Sequence, residues 1–324
     1  MNQTIAIALN TFREAIRNRV FFSLALFAIG MLVLTLAVSS ASLHEEVRLM
    51  KDVGLFLTSS FSVLIAVFVG VNLVYKEIER KTIHTVMPKP IHRYQFLLGK
   101  YFGLSGTLAI QVAIMGAVLA ALFQSINGSV GPVMLLIGLM LAWWVIDFGL
   151  QASGARQLDP AQRGDMPVHI DRLRSLLAVT AGVGILGFTG ATLSLEMLQA
   201  LFLVYIEVLV VIAVALVFSS FSTPFLSGAL TFGVFIIGRF ADTLATLKLG
   251  TAKDPDPLLE RIETLVHGVA YIVPDLSRYN TTPYVVYESA IEWGYVGHAT
   301  LYGLTYATIC LVLASALFSR RDFV

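Results

Sequence analysis

Apolar positions in this chain gather into unbroken runs rather than alternating with polar ones at strand or surface-helix spacing. The runs are about 20 residues long, the length a helix needs to cross a hydrocarbon core of ~30 Å. Eight of them predict membrane-crossing helices at 20–39, 53–75, 101–124, 132–150, 176–193, 198–221, 224–244 and 295–318. The fourth and fifth are the shortest, and a re-entrant excursion over 132–193 would reduce the count to six. The predicted fold is all-α: a polytopic helical bundle forming a single membrane domain over 1–324. The first run follows Arg13, Arg17 and Arg19 and ends near Ser39-Ser40-Ala41, as a signal peptide would. Its apolar stretch exceeds the usual core of about 7–15 residues, so it reads as an uncleaved helix.

Polar residues that interrupt this pattern are most informative in four places. Before the first span, Ile5, Ala8, Leu9, Phe12, Ala15 and Ile16 recur at helical spacing, with Asn10, Arg13, Glu14 and Arg17 opposite. That predicts an amphipathic helix over 1–19 lying in the membrane interface. Residues 76–100 carry dense mixed charge and break at Pro88 and Pro90, each of which removes a backbone donor and turns its predecessor away from helix. Two short helices meeting at 87–90 would make a rigid elbow, longer than a plain connector needs. A second loop, 151–175, mixes charges with Gly and Pro and reads as solvated. The last, 245–294, contains Asp256-Pro257, an N-cap followed by Pro at the first helical position. Its stripe of Leu258, Leu259, Ile262, Leu265, Val266, Val269 and Ile272 is expected to rest on the bundle's outer face.

Composition sharpens the reading. Only 13% of residues are charged while 57% are hydrophobic, against about 25% and 45–50% in soluble chains, which excludes a water-soluble globule. The net charge of +1 provides no field for nucleic acid. With the N-terminus inside, only Arg48, Lys51, Lys248, Lys253, Arg261 and Arg278 fall outside and Arg239 within the membrane, leaving 15 of the 22 Lys and Arg inside. This bias predicts that both termini are cytoplasmic. Cys310 is the single cysteine, so neither an intramolecular disulfide nor a multi-cysteine metal site can form.

Catalytic patterns fail on context. Gly182-Val183-Gly184-Ile185-Leu186-Gly187 fits a dinucleotide fingerprint but lies in an apolar span with no strand before it. His44-Glu45-Glu46-Val47-Arg48 lacks the second histidine of a zinc-protease motif, and no metal site is assigned. Gly103-Leu104-Ser105-Gly106 resembles a rhomboid-protease motif, but its candidate base, His298, is predicted a bilayer thickness away. Gly99 and Gly103 read better as close-packing positions. Four ionisable residues fall at membrane depth: Asp147, Glu207, Arg239 and Asp242. Such charges usually face a protein interior or a wet path. They are candidates for a translocation path or for interhelical ties, with Arg239 and Asp242 spaced to pair at i, i+3.

A family resemblance rests on ordered features: the interfacial helix, then Glu77-Ile78-Glu79-Arg80-Lys81-Thr82-Ile83, Pro90-Ile91-His92-Arg93 and Gly99-Lys100. Ser219-Ser220, Val273-Pro274-Asp275-Leu276-Ser277-Arg278-Tyr279-Asn280 and the terminal Phe318-Ser319-Arg320-Arg321-Asp322-Phe323 follow in the expected places. The chain resembles the membrane subunit of a type-2 ATP-binding-cassette (ABC) transporter, in the class of NosY-like and gliding-motility-like permeases. It departs from the usual six spans by an insertion at about 131–193, and Lys81 stands where a Gly often precedes the Thr. The resemblance implies two permease subunits, identical or related, in the bacterial inner membrane with two cytoplasmic ATPase subunits. It makes 76–100 the coupling element, with Glu77, Glu79, Arg80, Thr82, Pro90 and Arg93 as docking residues.

No phosphate-binding Gly-x-x-x-x-Gly-Lys-[Ser/Thr] loop occurs, so this chain is expected to bind no cofactor and to be no enzyme, with ATP and Mg on the partner ATPase. Export is the expected direction. The competing classes are an ion-coupled secondary transporter or channel, using the four intramembrane charges, and an intramembrane enzyme, for which no same-side catalytic cluster is evident.

Overall fold

The computed structural model describes residues 3–16, 18–40, 45–79, 93–126, 193–246, 261, 263–265, 267–268 and 272–319. Every regular element among them is helical. In chain order these are α1 (Gln3–Ile16), α2 (Arg19–Ser40), α3 (Glu46–Glu79), α4 (Arg93–Ile126), α5 (Leu195–Phe221), α6 (Pro224–Arg239), α7 (Ala241–Ala245), a 3-10 turn at Ser277–Tyr279, α8 (Thr282–Val286) and α9 (Trp293–Ser319).

Five of these helices, α2, α3, α4, α5 and α9, contain stretches long and apolar enough to cross a membrane. They coincide with the first, second, third, sixth and eighth predicted spans. The predicted spans at 132–150 and 176–193 and the loop at 151–175 lie outside the described residues. Helices α3 and α4 have 34 residues each, about 51 Å of helix, so both project beyond the ~30 Å core.

The bundle forms around α5. Ser194 caps its start, the hydroxyl accepting from the Met197 amide at 3.4 Å, and its apolar residues occupy all faces. A helix of that kind belongs in the centre, and most of its residues are buried against α3, α4 and α9. After Ser222 and Thr223 the chain reverses, with Pro224 opening α6, where its missing N–H costs no hydrogen bond.

Side-chain contacts order the two ends of the bundle. At one, Phe96 of α4 stacks on Phe318 of α9 with centroids 6.1 Å apart. At the other, Lys51 of α3 meets Glu288 at 2.8 Å and the Gln199 amide of α5 donates to the Ile291 carbonyl at 3.3 Å. Ile126, closing α4, lines the same surface hollow as Lys51 and Glu288. Helix α4 therefore ends, and α5 begins, at the same end of the bundle. Both the eight-span and the six-span readings of the intervening sequence require this.

The N-terminal helix is present, and Ala8, Phe12 and Ala15 of its apolar stripe turn to the protein together with Ile7 and Thr11. Ile7, Ala8, Thr11 and Phe12 lie against Gly99, Gly103 and Gly106 of α4, with Thr11 and Ala15 buried. A Cβ added at Gly103 would come 2.6 Å from both the Ala8 carbonyl and the Thr11 Cβ. Only hydrogen at these positions lets the backbones approach so closely. Ile5 and Leu9, counted in the apolar face, are exposed. A bilayer accepts apolar side chains as readily as a protein does, so the small residues fix the packing face.

The seventh predicted span, 224–244, is also modified. Helix α6 stops at Arg239, and Phe240 takes φ −106° and ψ 12° before the five-residue α7. The Gly238 carbonyl accepts from the Leu276 amide at 2.9 Å. The 273–281 segment thus docks where α6 ends.

Candidate functional site

At the heart of α5, Glu207 is completely buried. A carboxylate there needs a counter-charge and hydrogen bonds for both oxygens, and two other helices supply them. Arg239, the last residue of α6, places Nη1 2.7 Å from Oε1. Ser59 of α3 donates from Oγ to Oε2 at 2.8 Å, and its oxygen accepts from the same Arg239 Nη1 at 3.2 Å. The result is a closed triangle joining three helices. The Arg239 side chain is 16% exposed, so the anion is sealed while the cation opens to one side.

This replaces the expected pairing of Arg239 with Asp242. The break at Phe240 takes Asp242 into α7, where it is exposed, while the guanidinium reaches across to a residue 32 positions earlier. The structure thus brings two of the four intramembrane candidates together and leaves Asp242 apart. Asp147 lies outside the described residues. Sequence reasoning missed Ser59, which stands in a run of hydroxyl residues, Thr58-Ser59-Ser60, with nothing to distinguish it.

The 273–281 segment, expected in an outer loop, packs into the bundle beside this triangle. Pro274, Leu276, Tyr279 and Thr281 are buried. Asp275 builds the turn: its carboxylate accepts from the Ser277 amide at 3.2 Å, the Ser277 hydroxyl at 2.5 Å and Arg278 Nε at 2.7 Å, an Asx arrangement. Helix α9 holds it from the other side. The Tyr302 hydroxyl accepts from the Asp275 amide at 2.9 Å, and Tyr295 donates to the Arg278 carbonyl at 2.5 Å. The Arg278 guanidinium lies 4.9 Å from the Tyr302 ring centre.

Tyr279 donates to the Ala299 carbonyl at 3.1 Å. The Tyr279 ring is buried. Gly303 makes room: a Cβ there would collide with the Tyr279 hydroxyl and the Ile206 side chain. Ile206 precedes Glu207, which places the segment at the level of the ion pair.

The remaining candidates are distributed as follows. Glu77 and Glu79 fall in the last turn of α3 and Arg93 opens α4. Arg80, Thr82 and Pro90, with the predicted turn of the elbow at 87–90, lie outside the described residues. Just inside α4, Lys100 is buried with its ammonium 5.6 Å from the Phe96 ring centre, an arrangement that tolerates a cation within the bundle. Ser105 donates to the Phe102 carbonyl and the His298 ring contacts the Gly294 carbonyl, so neither forms a nucleophile–base pair. Of the stripe expected on the outer face, Leu265 and Ile272 are described and are 69% and 78% exposed; it does not seal against the bundle at these positions.

No curated relative matches the chain. A family model described as ABC-2 family transporter protein matches residues 5–323, from the N-terminal helix to the penultimate residue. Membrane components of this kind work with ABC ATPase subunits and are generally non-catalytic. Helical architecture and family match agree: this chain belongs to the ABC-2 transporter family and is an integral membrane permease of the type-2 ABC class.

Proposed function

We propose that this chain forms the translocation path of an ATP-driven exporter. It pairs with a second copy, or a related permease, and with two cytoplasmic ATPase subunits that hold ATP and Mg. The single permease domain sits in a bacterial inner membrane with both termini cytoplasmic, the orientation that the Lys and Arg distribution favours. On this reading 1–19 is interfacial, 76–100 and 151–175 are cytoplasmic, and 245–294 is extracytoplasmic.

The observation that carries the proposal is the continuity of α3 and α4. Each runs unbroken for 34 residues from the flanks of 76–100 to the far end of the bundle, and α3 carries Ser59 of the buried triangle. A displacement imposed on that loop by ATPase closure reaches the Glu207–Arg239 pair through one rigid rod. The nucleotide acts by favouring one of two arrangements of the spans. Glu77, Glu79, Arg80, Thr82, Pro90 and Arg93 form the docking surface. An ion-coupled carrier would need Glu207 free to exchange its ion, whereas both oxygens are engaged here.

The test is co-purification of the tagged chain from native membranes in mild detergent. Wild type should bring down a cassette ATPase, and Glu79→Ala/Arg93→Ala should lose it or uncouple its hydrolysis from the membrane chain. Substrate movement by the chain reconstituted alone, without an ATPase, would overturn the proposal.

A further inference from the structure

A guanidinium carries five N–H donors in a planar fork. In Arg239 only Nη1 is engaged, toward Glu207 and Ser59. Among the described residues, Nε and Nη2 have no acceptor, which leaves three charged N–H groups unspent. Leaving such donors unmet at membrane depth is costly. The side chain's partial exposure gives an acceptor from outside the chain a way to reach it.

The surroundings define that acceptor. Phe232, Ile236 and Phe240 recur at i, i+4, i+8 and are all exposed, and Phe225, 88% exposed, extends the line two turns toward the start of α6. Arg239 follows Ile236 by three residues and therefore borders this stripe. A cationic fork thus stands at the head of an apolar track about one helix long. The planar fork matches phosphate or carboxylate oxygens, and the track matches an alkyl chain.

We propose that Arg239 and the exposed stripe of α6 form a binding station for an anionic amphiphile, with its phosphate or carboxylate head on the free edge of the guanidinium and its tail along Phe232, Ile236 and Phe240. Two nearby carboxylates weaken the hold. Glu207 neutralises the guanidinium from behind, and Asp242, three residues on and exposed beyond the helix break, adds a second negative charge to the same end of α6. Weak retention suits a molecule in transit, so the inference rests on the permease reading and names its substrate class.

The experiment follows the thermal unfolding midpoint of the full chain in a neutral maltoside detergent, titrated with monododecyl phosphate, dodecanol or inorganic phosphate. Wild type should show a saturable rise with monododecyl phosphate alone. Glu207→Gln and Asp242→Asn should each tighten binding, the former by roughly ten-fold. The charge-free double variant Glu207→Gln/Arg239→Gln, which leaves no lone buried charge, should lose it. Equal responses in wild type and double variant, an equal response to dodecanol, a response to inorganic phosphate that matches the amphiphile, or no saturable response in wild type would each overturn the proposal. Because Asp242→Asn leaves the triangle intact, it keeps the test decisive if Glu207→Gln fails to fold. ATPase co-purification is scored separately. A wild-type chain that retains its ATPase but shows no saturable binding refutes this site alone, and one that binds the amphiphile but brings down no ATPase refutes the permease reading alone.

Discussion

Two seams hold this bundle together by opposite means. Where α1 meets α4 the contact is made by what is missing: Gly99 and Gly103 bring backbone against Ile7, Ala8 and Thr11. Where α3, α5 and α6 meet, a carboxylate, a guanidinium and a hydroxyl close on one another in the protein interior. The first gains dispersion at short range and adapts poorly to added volume. The second is tolerant of volume but not of charge imbalance. Lipid tails provide no water-driven force between helices, so packing and polar closure remain, and the chain uses each where the other would fail.

The sharpest way to break the comparison is to remove one charge. Glu207→Ala leaves the largely buried Arg239 without its counter-charge and should cost about 3–5 kcal/mol, read by thermal unfolding in detergent. Glu207→Met/Arg239→Met should recover much of that loss. Strict additivity of the single changes would mean that the pair does not hold the seam.

Next in size is Gly103→Val, with about 1–3 kcal/mol from overpacking. It should open the α1 seam without touching the triangle. In a Cys310→Ser background, Ala15→Cys, buried in the native packing, should react with maleimide quickly in the Gly103→Val chain and slowly without it. Equal rates would show that the glycine is not what seats α1.

Smaller still is the Tyr279–Gly303 contact. Tyr279→Phe forfeits one hydrogen bond, about 1 kcal/mol. Gly303→Ala should lose a similar amount by displacing the same ring, and the two should combine to less than their sum because they damage one contact.

The smallest effect is expected at Glu288, which bonds Lys51 from an exposed turn. The Lys51 hydrogen bond holds its carboxyl below the ordinary glutamate value. Its contribution is therefore present above the unfolded-state value and is lost as pH falls through the lowered one. A Glu288→Gln chain should lack that acid-side component. Glu288 also occupies φ 53°, a left-handed position at the end of α8 that glycine takes more readily. Glu288→Gly should accordingly leave stability no lower, in contrast to every substitution above.

The five spans that the described residues show were legible because a run of apolar residues is a sufficient signal for a membrane helix. The N-terminal helix was legible from the helical recurrence of its apolar residues, yet which of them meet protein was not. Ile5 and Leu9 are as apolar as Phe12, and hydrophobicity cannot separate a neighbour made of lipid from one made of protein. Gly99 and Gly103 carried the missing information, and their small size was visible in the sequence.

At the candidate site, Glu207 and Arg239 stood out as charges in apolar spans, but the i, i+3 rule favoured Asp242 as the partner of Arg239. That rule sees only one helix. The actual pairing depends on how α5 and α6 lean together and on the stop at Phe240, neither of which a local pattern encodes. Tyr279 was read as part of a loop because its burial comes from the absence of a side chain at Gly303, 24 positions later.

The stop at Phe240 reaches beyond the protein. Sixteen residues of α6 span about 24 Å, some 6 Å short of the ~30 Å hydrocarbon they face. Such hydrophobic mismatch is relieved by thinning the bilayer locally. The lipid annulus beside α6 should therefore be compressed, shortening the greasy distance that a polar head must travel at this one place on the perimeter. Reconstitution in bilayers of increasing acyl length should progressively destabilise α6, measured by protease accessibility at its ends, while α3 and α4, which overshoot the membrane, stay indifferent.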